Sequence, residues 1–411
     1  MDVLVDRVAG LDIGKARVAA TVRTPGEGRS RREVTRMFAT FAANLGELRE
    51  WLLAEGVTDV VMEATSDYWK PVWWTLEDAG FGLMLVNARD VHQLPGRKTD
   101  VADSAWLAQL LECRLLRGSF VPPKEIRQLR DLTRYRKRLV QDRSREAQRV
   151  EKVLEDTGIK LTVVASSVLS KSARAMIDAL IAGERDPRVL ADLAKGRMRS
   201  KIGELTQALN GRFEEHHALL LGMHLAHIDQ LDAHIATVDA RVDELIGPFA
   251  ERQHRLTTIP GVGELTAKVI IAEIGVDMTV FPTAGHLASW AGLCPGNNES
   301  AGKHKSGRTT WGNPWLAEAL CQAAWAATRK RNSWLGARYY RLARRIGNKR
   351  AITAISHSIL VAAWWMLTND CDYTDLGADF YDRYTNPEAE TRRLVRRLQT
   401  LGHTVQLDPA A

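Results

Sequence analysis

Apolar positions in the first 120 residues fall in short runs whose period switches between two and about three and a half, and each switch marks an element. Arg7 to Val22 and Arg32 to Thr40 alternate as paired strands do, and the turn-forming stretch Thr24-Pro25-Gly26-Glu27-Gly28-Arg29-Ser30 separates them, so residues 1 to about 42 predict a hairpin or meander. The pattern then predicts a helix over about 43–55, a strand over 58–64, a helix over 67–79, a strand over 81–87 and a helix over about 100–116. Pro122-Pro123 closes this unit, because neither proline nor the residue before it continues a helix easily.

Beyond it the chain turns helical. Glu125 to about Thr157 is strongly polar, with Arg127, Arg130, Arg134, Arg136, Lys137, Arg138, Arg143, Arg145 and Arg149 spread round several faces. Such a helix is either a solvated face or a surface that tracks phosphates. A second long helix, within about 200–246, carries Ile228, Leu231, Ile235, Val238, Val242 and Leu245 at alternating steps of three and four, which is a heptad seam. Over so few heptads it reads equally as a coiled coil or as the face of a core helix; either way the two helices would form a stalk or dimer element, joined by a helical piece over 158–199.

Three early antiparallel strands followed by alternating helix and strand is RNase H-like (RuvC-like) order. The expected organisation is an α/β RNase H-like domain over 1–121, a helical coiled-coil middle over 122–250, a mainly α domain over 251–375 and a tail over 376–411.

The net charge of +7 is a modest excess that suits a polyanionic partner without requiring one. It is distributed unevenly. From Arg329 to Arg350 there are nine cations and no acid, Arg329, Lys330, Arg331, Arg341, Arg344 and Arg345 among them, interleaved with Trp334, Tyr339 and Tyr340. Cations mixed with aromatics suit phosphate contact and base stacking. Cys113, Cys294, Cys321 and Cys371 have no C-x-x-C spacing, which argues against a zinc site or a disulfide framework. No basic segment precedes a long apolar stretch at the N-terminus, and the run Ala351 to Thr368 is short and interrupted by His357; the expectation is a cytoplasmic protein with no membrane partner.

Candidate chemistry starts with four acids. Asp12 follows Val8-Ala9-Gly10-Leu11, Glu63 ends Val60-Val61-Met62, and Asp100 and Asp103 open an amphipathic stretch three residues apart, on one side of a helix. Singly, such acids are common caps and solvated residues. Together, carboxylates at strand ends facing a helix start could share a divalent cation that clamps the attacking and leaving oxygens of a phosphate ester. Leu256 to Ala267, with Ile259-Pro260-Gly261-Val262-Gly263 at its centre, fits a helix-hairpin-helix whose exposed amides at Gly261 and Gly263 could hold a phosphate, although such turns also serve as plain connectors. The long Gly- and cation-rich loop from Ala291 to Asn313 contains two candidate nucleophiles, Ser300 and Ser306, with Lys303, Lys305 and Arg308 placed to stabilise developing charge.

Gly10-Leu11-Asp12-Ile13-Gly14-Lys15, Met62-Glu63-Ala64-Thr65, Lys98-Thr99-Asp100-Val101-Ala102-Asp103, Ile259-Pro260-Gly261-Val262-Gly263 and Ala291-Gly292-Leu293-Cys294-Pro295 running on to Ser300-Ala301-Gly302-Lys303 and Gly312-Asn313 together resemble the DEDD transposases of bacterial insertion sequences, the family numbered one hundred and ten, which includes relatives of the Piv site-specific invertase. The resemblance covers nearly the whole chain. It maps the family's serine onto Ser300, with Ala301 where glycine is usual. It implies a bacterial recombinase that cuts and rejoins DNA through a covalent phosphoserine beside Mg²⁺ held by Asp12, Glu63, Asp100 and Asp103. It also implies element ends and target DNA as partners, a structured noncoding guide RNA, and a homo-oligomer, dimer or tetramer. The competing expectation is a RuvC-like, structure-specific, metal-dependent nuclease in which the acids act without the serine.

Overall fold

Val8-Ala9-Gly10-Leu11-Asp12-Ile13 is buried at every position except Asp12, which is half-buried, and a strand apolar on both faces must sit inside a sheet covered on both sides. In the computed structural model, which describes residues 3–28, 30–64, 66–87, 100–296, 298–383 and 387–408, this segment is β1 (Val8–Ile13), the middle strand of five. It pairs antiparallel with β2 (Arg17–Pro25) and parallel with β4 (Asp59–Glu63). β3 (Arg31–Ala39) adds antiparallel to β2, and β5 (Gly82–Val86) parallel to β4, giving the order β3-β2-β1-β4-β5. That mixed sheet is the RNase H-like arrangement expected from the order of elements, with helix and strand limits within a few residues of those read from periodicity.

Strand alternation sorts the core into two layers. Ala9, Leu11 and Ile13 of β1 with Val60 and Met62 of β4 pack under α1 (Ala42–Ala54) and α2 (Trp69–Leu76), through Leu45, Leu48, Leu52, Val72 and Leu76. Val8 and Val61 face the other way, against Leu107, Ala108 and Leu111 of α3 (Asp100–Glu112). By the same parity Asp12 and Glu63 belong to the α3 face.

α3 lies very close to β1. A Cβ at Gly10 would come within 2.2 Å of the Ser104 carbonyl oxygen and 2.5 Å of the Ala108 nitrogen. Buried polar groups fix the helix there: the hydroxyls of Thr21 and Ser104 hydrogen-bond at 2.7 Å, and Glu112, almost fully buried, takes Arg23 at 2.9 Å and Arg31 at 3.2 Å. The amides of Leu4 and Val5 donate to the Glu112 carbonyl at 2.9 and 3.1 Å, so the end of α3 meets the chain entering β1 and the helix runs antiparallel to that strand.

The chain divides into two compact units, Met1–Val121 and Pro122–Ala411. In the second, α4 (Lys124–Asp156) and α5 (Glu215–Ile246) pair antiparallel, with ion pairs Arg136–Asp239 and Arg143–Asp232 marking the direction. Between them the helices Lys171–Ile181, Pro187–Asp192 and Ile202–Ala208 close a core on Val150, Leu154, Leu221, Leu225 and Ile228. Ile228, Leu231, Val238 and Val242 of the heptad seam are buried and Ile235 and Leu245 half-buried, in a helix whose main neighbour is α4 of the same chain. The seam thus packs chiefly against α4 of the same chain. Most of the cations of the arginine-rich helix are already engaged: besides Arg136 and Arg143, Arg134 is paired with Glu273 and Lys137 with Glu318 across helices, and Arg145 with Asp142 and Arg149 with Glu146 along the helix itself.

The rest of the unit comprises α6 (Ala250–Thr257), α7 (Glu264–Ile274), α8 (Ala284–Trp290), the hairpin β6 (Asn298–Ser300) and β7 (Lys303–Ser306), α9 (Pro314–Ala327), α10 (Trp334–Ile346), α11 (Asn348–Asn369) and α12 (Pro387–Thr400). α11 is the one helix among the described residues long and apolar enough to cross a membrane by length and composition, yet half of that window is buried, with Ile355, Ile359 and Ala363 packed beneath neighbouring helices.

The fit of α3 on β1 is directly testable. Gly10→Ala should cost about 3 kcal/mol by overpacking and lower the melting midpoint measured by circular dichroism. An unchanged midpoint would show that α3 is not seated as described.

Candidate active site

The acidic set is assembled by strand parity and helix direction. Leu11 pairs with Met62 in the last register pair of β1 and β4, so Asp12 and Glu63 are the next residues on two adjacent parallel strands and share the α3 face. Because α3 runs antiparallel to β1, with Ser104 and Ala108 over Gly10 and Glu112 at the strand's entry, its first turn extends toward the strand end where Asp12 lies. Asp103, half-buried, and the backbone of Asp100 occupy that turn. The side chain of Asp100 lies outside the described residues. Among those described, no three His, Cys, Asp or Glu side chains are close enough to hold a metal ion. Strand parity and helix direction thus put Asp12, Glu63 and Asp103 on one face at one end of the sheet, and the described side chains do not converge there into a metal-holding group.

In the second unit the loop from Ala291 to Asn313 is pinched shut at its base. A Cβ on Gly312 would fall 2.2 Å from the Ala291 carbonyl carbon and 2.3 Å from the Gly292 nitrogen, and one on Gly292 would meet Gly312 at 2.7 Å, so two backbones touch where only glycines fit. Above this neck the Gly296 amide donates to the Arg308 carbonyl at 2.9 Å and Pro295 bridges Thr309. β6 and β7 then pair antiparallel, with Ser300 opposite Lys303. Ala301 at φ +50° and Gly302 at φ +74° make the turn, and positive φ at both central residues marks a type I′ hairpin. Non-glycine residues in that region carry a cost of about 1–2 kcal/mol, which the glycine usual in the resembled family would not.

Ser300 is thereby placed at the apex of a hairpin and Ser306 at its far end; their side chains, like that of Lys305, lie outside the described residues. Lys303 and Arg308 are exposed.

The base of the loop is held by a buried charge network that the sequence reading did not single out. Glu273 is fully buried and takes Arg134 through two bonds of 2.7 Å, Arg130 at 3.4 Å and the Asn313 amide at 2.6 Å. Asn313 in turn caps α9 by accepting from the amides of Trp315 and Leu316. Burial pushes Arg130 down to about 10 against the pull of Glu273. The signal was a glutamate inside the apolar run Val269-Ile270-Ile271-Ala272-Glu273-Ile274, since a buried carboxylate requires partners.

The two glycines of Pro260-Gly261-Val262-Gly263 prove to be different. At Gly261, φ +86°, an added Cβ would meet the Ala323 carbonyl oxygen at 2.2 Å and the Ala327 nitrogen at 2.5 Å, so close packing on α9 explains this residue without a phosphate. Gly263 is exposed, has open space around it and precedes the first turn of α7. Farther along, Arg329, Lys330, Arg331, Arg341, Arg344 and Arg345 are all exposed. Among the described residues none of them is in an ion pair, in contrast to the cations of α4. Arg341 lies over the Tyr381 ring, 4.7 Å from its centroid.

An RNase H-like sheet with carboxylates on one face at its end, and a helical unit with a serine in a pinched hairpin, are compatible with a protein that processes nucleic-acid strands. The family models narrow it: the DEDD transposase model matches residues 9–159, and the model described as transposase, IS116/IS110/IS902 family, matches residues 253–341, together more than half of the sequence. The chain belongs to the IS110 family of transposases. An insertion element IS900 protein of Mycobacterium paratuberculosis is 28% identical over 249 residues, 53% of this chain and 59% of that protein. An insertion element IS110 protein of Streptomyces coelicolor is 44% identical over 72 residues, 17% of this chain and 18% of that protein. The pilin gene-inverting protein of Moraxella bovis is 41% identical over 69 residues, 16% of this chain and 21% of that protein. The chain thus spans less than two thirds of the length of each of these relatives. Thermus thermophilus RuvC aligns over 28% of this chain and 99% of its own at 14% identity and a TM-score of 0.23; at that score the strand order, not the overlay, carries the fold.

The contrast between Gly261 and Gly263 yields a test. Gly261→Ala should destabilise the second unit by about 3 kcal/mol, read as a lower thermal midpoint, while Gly263→Ala leaves the midpoint within about 1 kcal/mol. Equal tolerance of both would remove the packing explanation for Gly261.

Proposed function

We propose that this chain is a DNA recombinase that moves an insertion sequence by cutting and rejoining strands through a covalent link to Ser300, with the acids Asp12, Glu63, Asp100 and Asp103 serving the same reaction. The observation that carries this reading is the hairpin, which sets Ser300 opposite Lys303 at the apex of a loop closed by glycine-on-glycine contact. The turn residues Ala301, Gly302 and Lys303 that follow Ser300 are exposed, so this apex can approach a DNA backbone.

The chemistry balances as a phosphoryl transfer. The Ser300 oxygen attacks a backbone phosphorus, an O–P bond forms to the serine, and the bond from phosphorus to one sugar oxygen breaks, that oxygen leaving with a proton. A sugar hydroxyl of the strand to be joined attacks the phosphoserine, releases the serine and restores a phosphodiester, so no energy source is consumed. Lys303, facing Ser300 across the turn, and Arg308 supply positive charge for the crowded phosphate. Carboxylate oxygens are the hard donors that Mg²⁺ prefers, and Asp12, Glu63, Asp100 and Asp103 would hold it; bound there, it would supply charge neutralisation and acidify a hydroxyl. Gly263 and the cations from Arg329 to Arg345 hold nucleic-acid backbone in this reading. A noncoding RNA from the element's flanks would set the sequence of the ends and target by base pairing, leaving the protein to read backbone and shape. Action on bacterial DNA places it in the cytoplasm, as a dimer or tetramer, since two cuts must be made and exchanged.

The family resemblance and the hairpin support the covalent route over simple hydrolysis by the acids. With the element's own ends as DNA and the RNA transcribed from its flanks, Ser300→Ala should remove the denaturation-stable protein–DNA adduct and strand exchange while leaving DNA binding within about twofold, and Ser306→Ala should be far milder. Asp12→Asn or Asp103→Asn should lower recombination by a factor on the order of a thousand or more without unfolding the chain. Normal recombination by Ser300→Ala would defeat the serine route, and clean nicks without an adduct in the unaltered protein would favour a metal-dependent nuclease.

A further inference from the structure

The cationic stretch after α9 holds an aromatic chain that phosphate contact does not use. Trp325 near the end of α9 and Tyr340 on α10 are 43% and 59% exposed, and both lean on the buried Tyr339, at ring-centroid distances of 6.0 and 5.2 Å. Tyr339 meets the two at steep interplanar angles of 61° and 68°, edge-to-face contacts that fix large exposed rings in place, an arrangement suited to holding a ligand. Arg344, one turn beyond Tyr340, lies on the same side of α10, and Arg329 stands two residues past the end of α9, in the turn that follows Trp325's helix. Neither arginine is ion-paired among the described residues. Of the other cations on this helix, Arg338 stacks on Trp334 at 5.1 Å and Arg341 on Tyr381 at 4.7 Å, while Arg345 is exposed.

We infer that Trp325 and Tyr340, braced by Tyr339, form a platform on which unpaired nucleobases stack, with Arg329 and Arg344 holding the phosphates of the same strand. The inference rests on the nucleic-acid function proposed above for the class of partner, and specifies its form as single strand. A duplex buries its base faces against one another and offers side rings only its grooves and phosphates; a single strand exposes a π face at every base. A phosphate-binding surface alone would need the arginines and not the rings, and an apolar protein partner would not call for a 22-residue span, Arg329 to Arg350, without one acid.

The test uses the full chain and three labelled probes of equal length, oligo(dT), oligo(U) and a duplex DNA, titrated by fluorescence anisotropy. Tyr340→Ala should weaken binding of one or both single strands about tenfold and duplex binding less than about twofold, and Tyr340→Phe, which keeps the ring, should restore the single-strand affinity. Trp325→Phe should weaken it only slightly, guarding against loss of the packing on Tyr339. Arg344→Gln should weaken all three probes and lower the salt slope by about one. Selective loss on oligo(U) assigns the platform to RNA, and equal loss on both strands assigns it to either nucleic acid. If Tyr340→Ala affects duplex and single strands alike, or neither, the platform is overturned while the nucleic-acid reading stands; if the unaltered chain binds none of the probes, both fall.

Discussion

The seating of α3 on β1 at Gly10 is the constraint from which the arrangement of the acids follows. Backbone approaches backbone there, with no room for even one methyl group, and the Thr21–Ser104 bond and the Glu112 ion pairs fix the helix in rotation and direction. Given that seating, strand alternation puts Asp12 and Glu63 on the covered face and the antiparallel run of α3 carries Asp100 and Asp103 to the same end. Residues scattered over ninety positions reach one edge because one glycine lets a helix lie against the central strand.

The second unit divides its positive charge between two uses. On α4 the cations are spent internally: Arg134 and Arg130 neutralise the buried Glu273, and Arg136 and Arg143 fasten α5. Removing one partner from such a buried cluster typically costs about 3–5 kcal/mol, so that helix is scaffold. On α10 and the turn before it most cations, Arg338 excepted, face solvent beside exposed rings. The same network ties the hairpin to the scaffold, since Asn313 both bonds Glu273 and caps α9 immediately after the loop closes. A serine at the tip of a loop is useful to strand chemistry only if the root of the loop does not move, and Glu273 with the Gly292–Gly312 contact supplies that.

Local periodicity made much of this legible. β1 to β5 and α1 to α3 follow from alternation and turn residues because each element's neighbours are near in sequence, and the acids stood out by ending apolar runs. What the sequence hid depends on distant partners. The heptad seam of Ile228 to Val242 looks the same whether its partner is a second copy or α4, and only the fold shows α4. Gly261 and Gly263 look alike in a turn motif until α9 arrives against one of them. The arginines of α4 and α10 stand out alike in composition, and only the fold shows which acids of other helices lie across from those of α4. Ala301, where the resemblance leads one to expect glycine, takes the left-handed φ that a glycine adopts freely.

The central claim is that strand breakage passes through a covalent bond between Ser300 and DNA phosphate. It is tested most directly by denaturing the unaltered protein during reaction on its own element ends, digesting it, and locating the nucleotide-bearing peptide by mass spectrometry. The account predicts a phosphodiester-linked nucleotide on Ser300, in the peptide that contains Ala301-Gly302-Lys303. A nucleotide on Ser306 or on any tyrosine, or cut DNA with no nucleotide-bearing peptide, would contradict it.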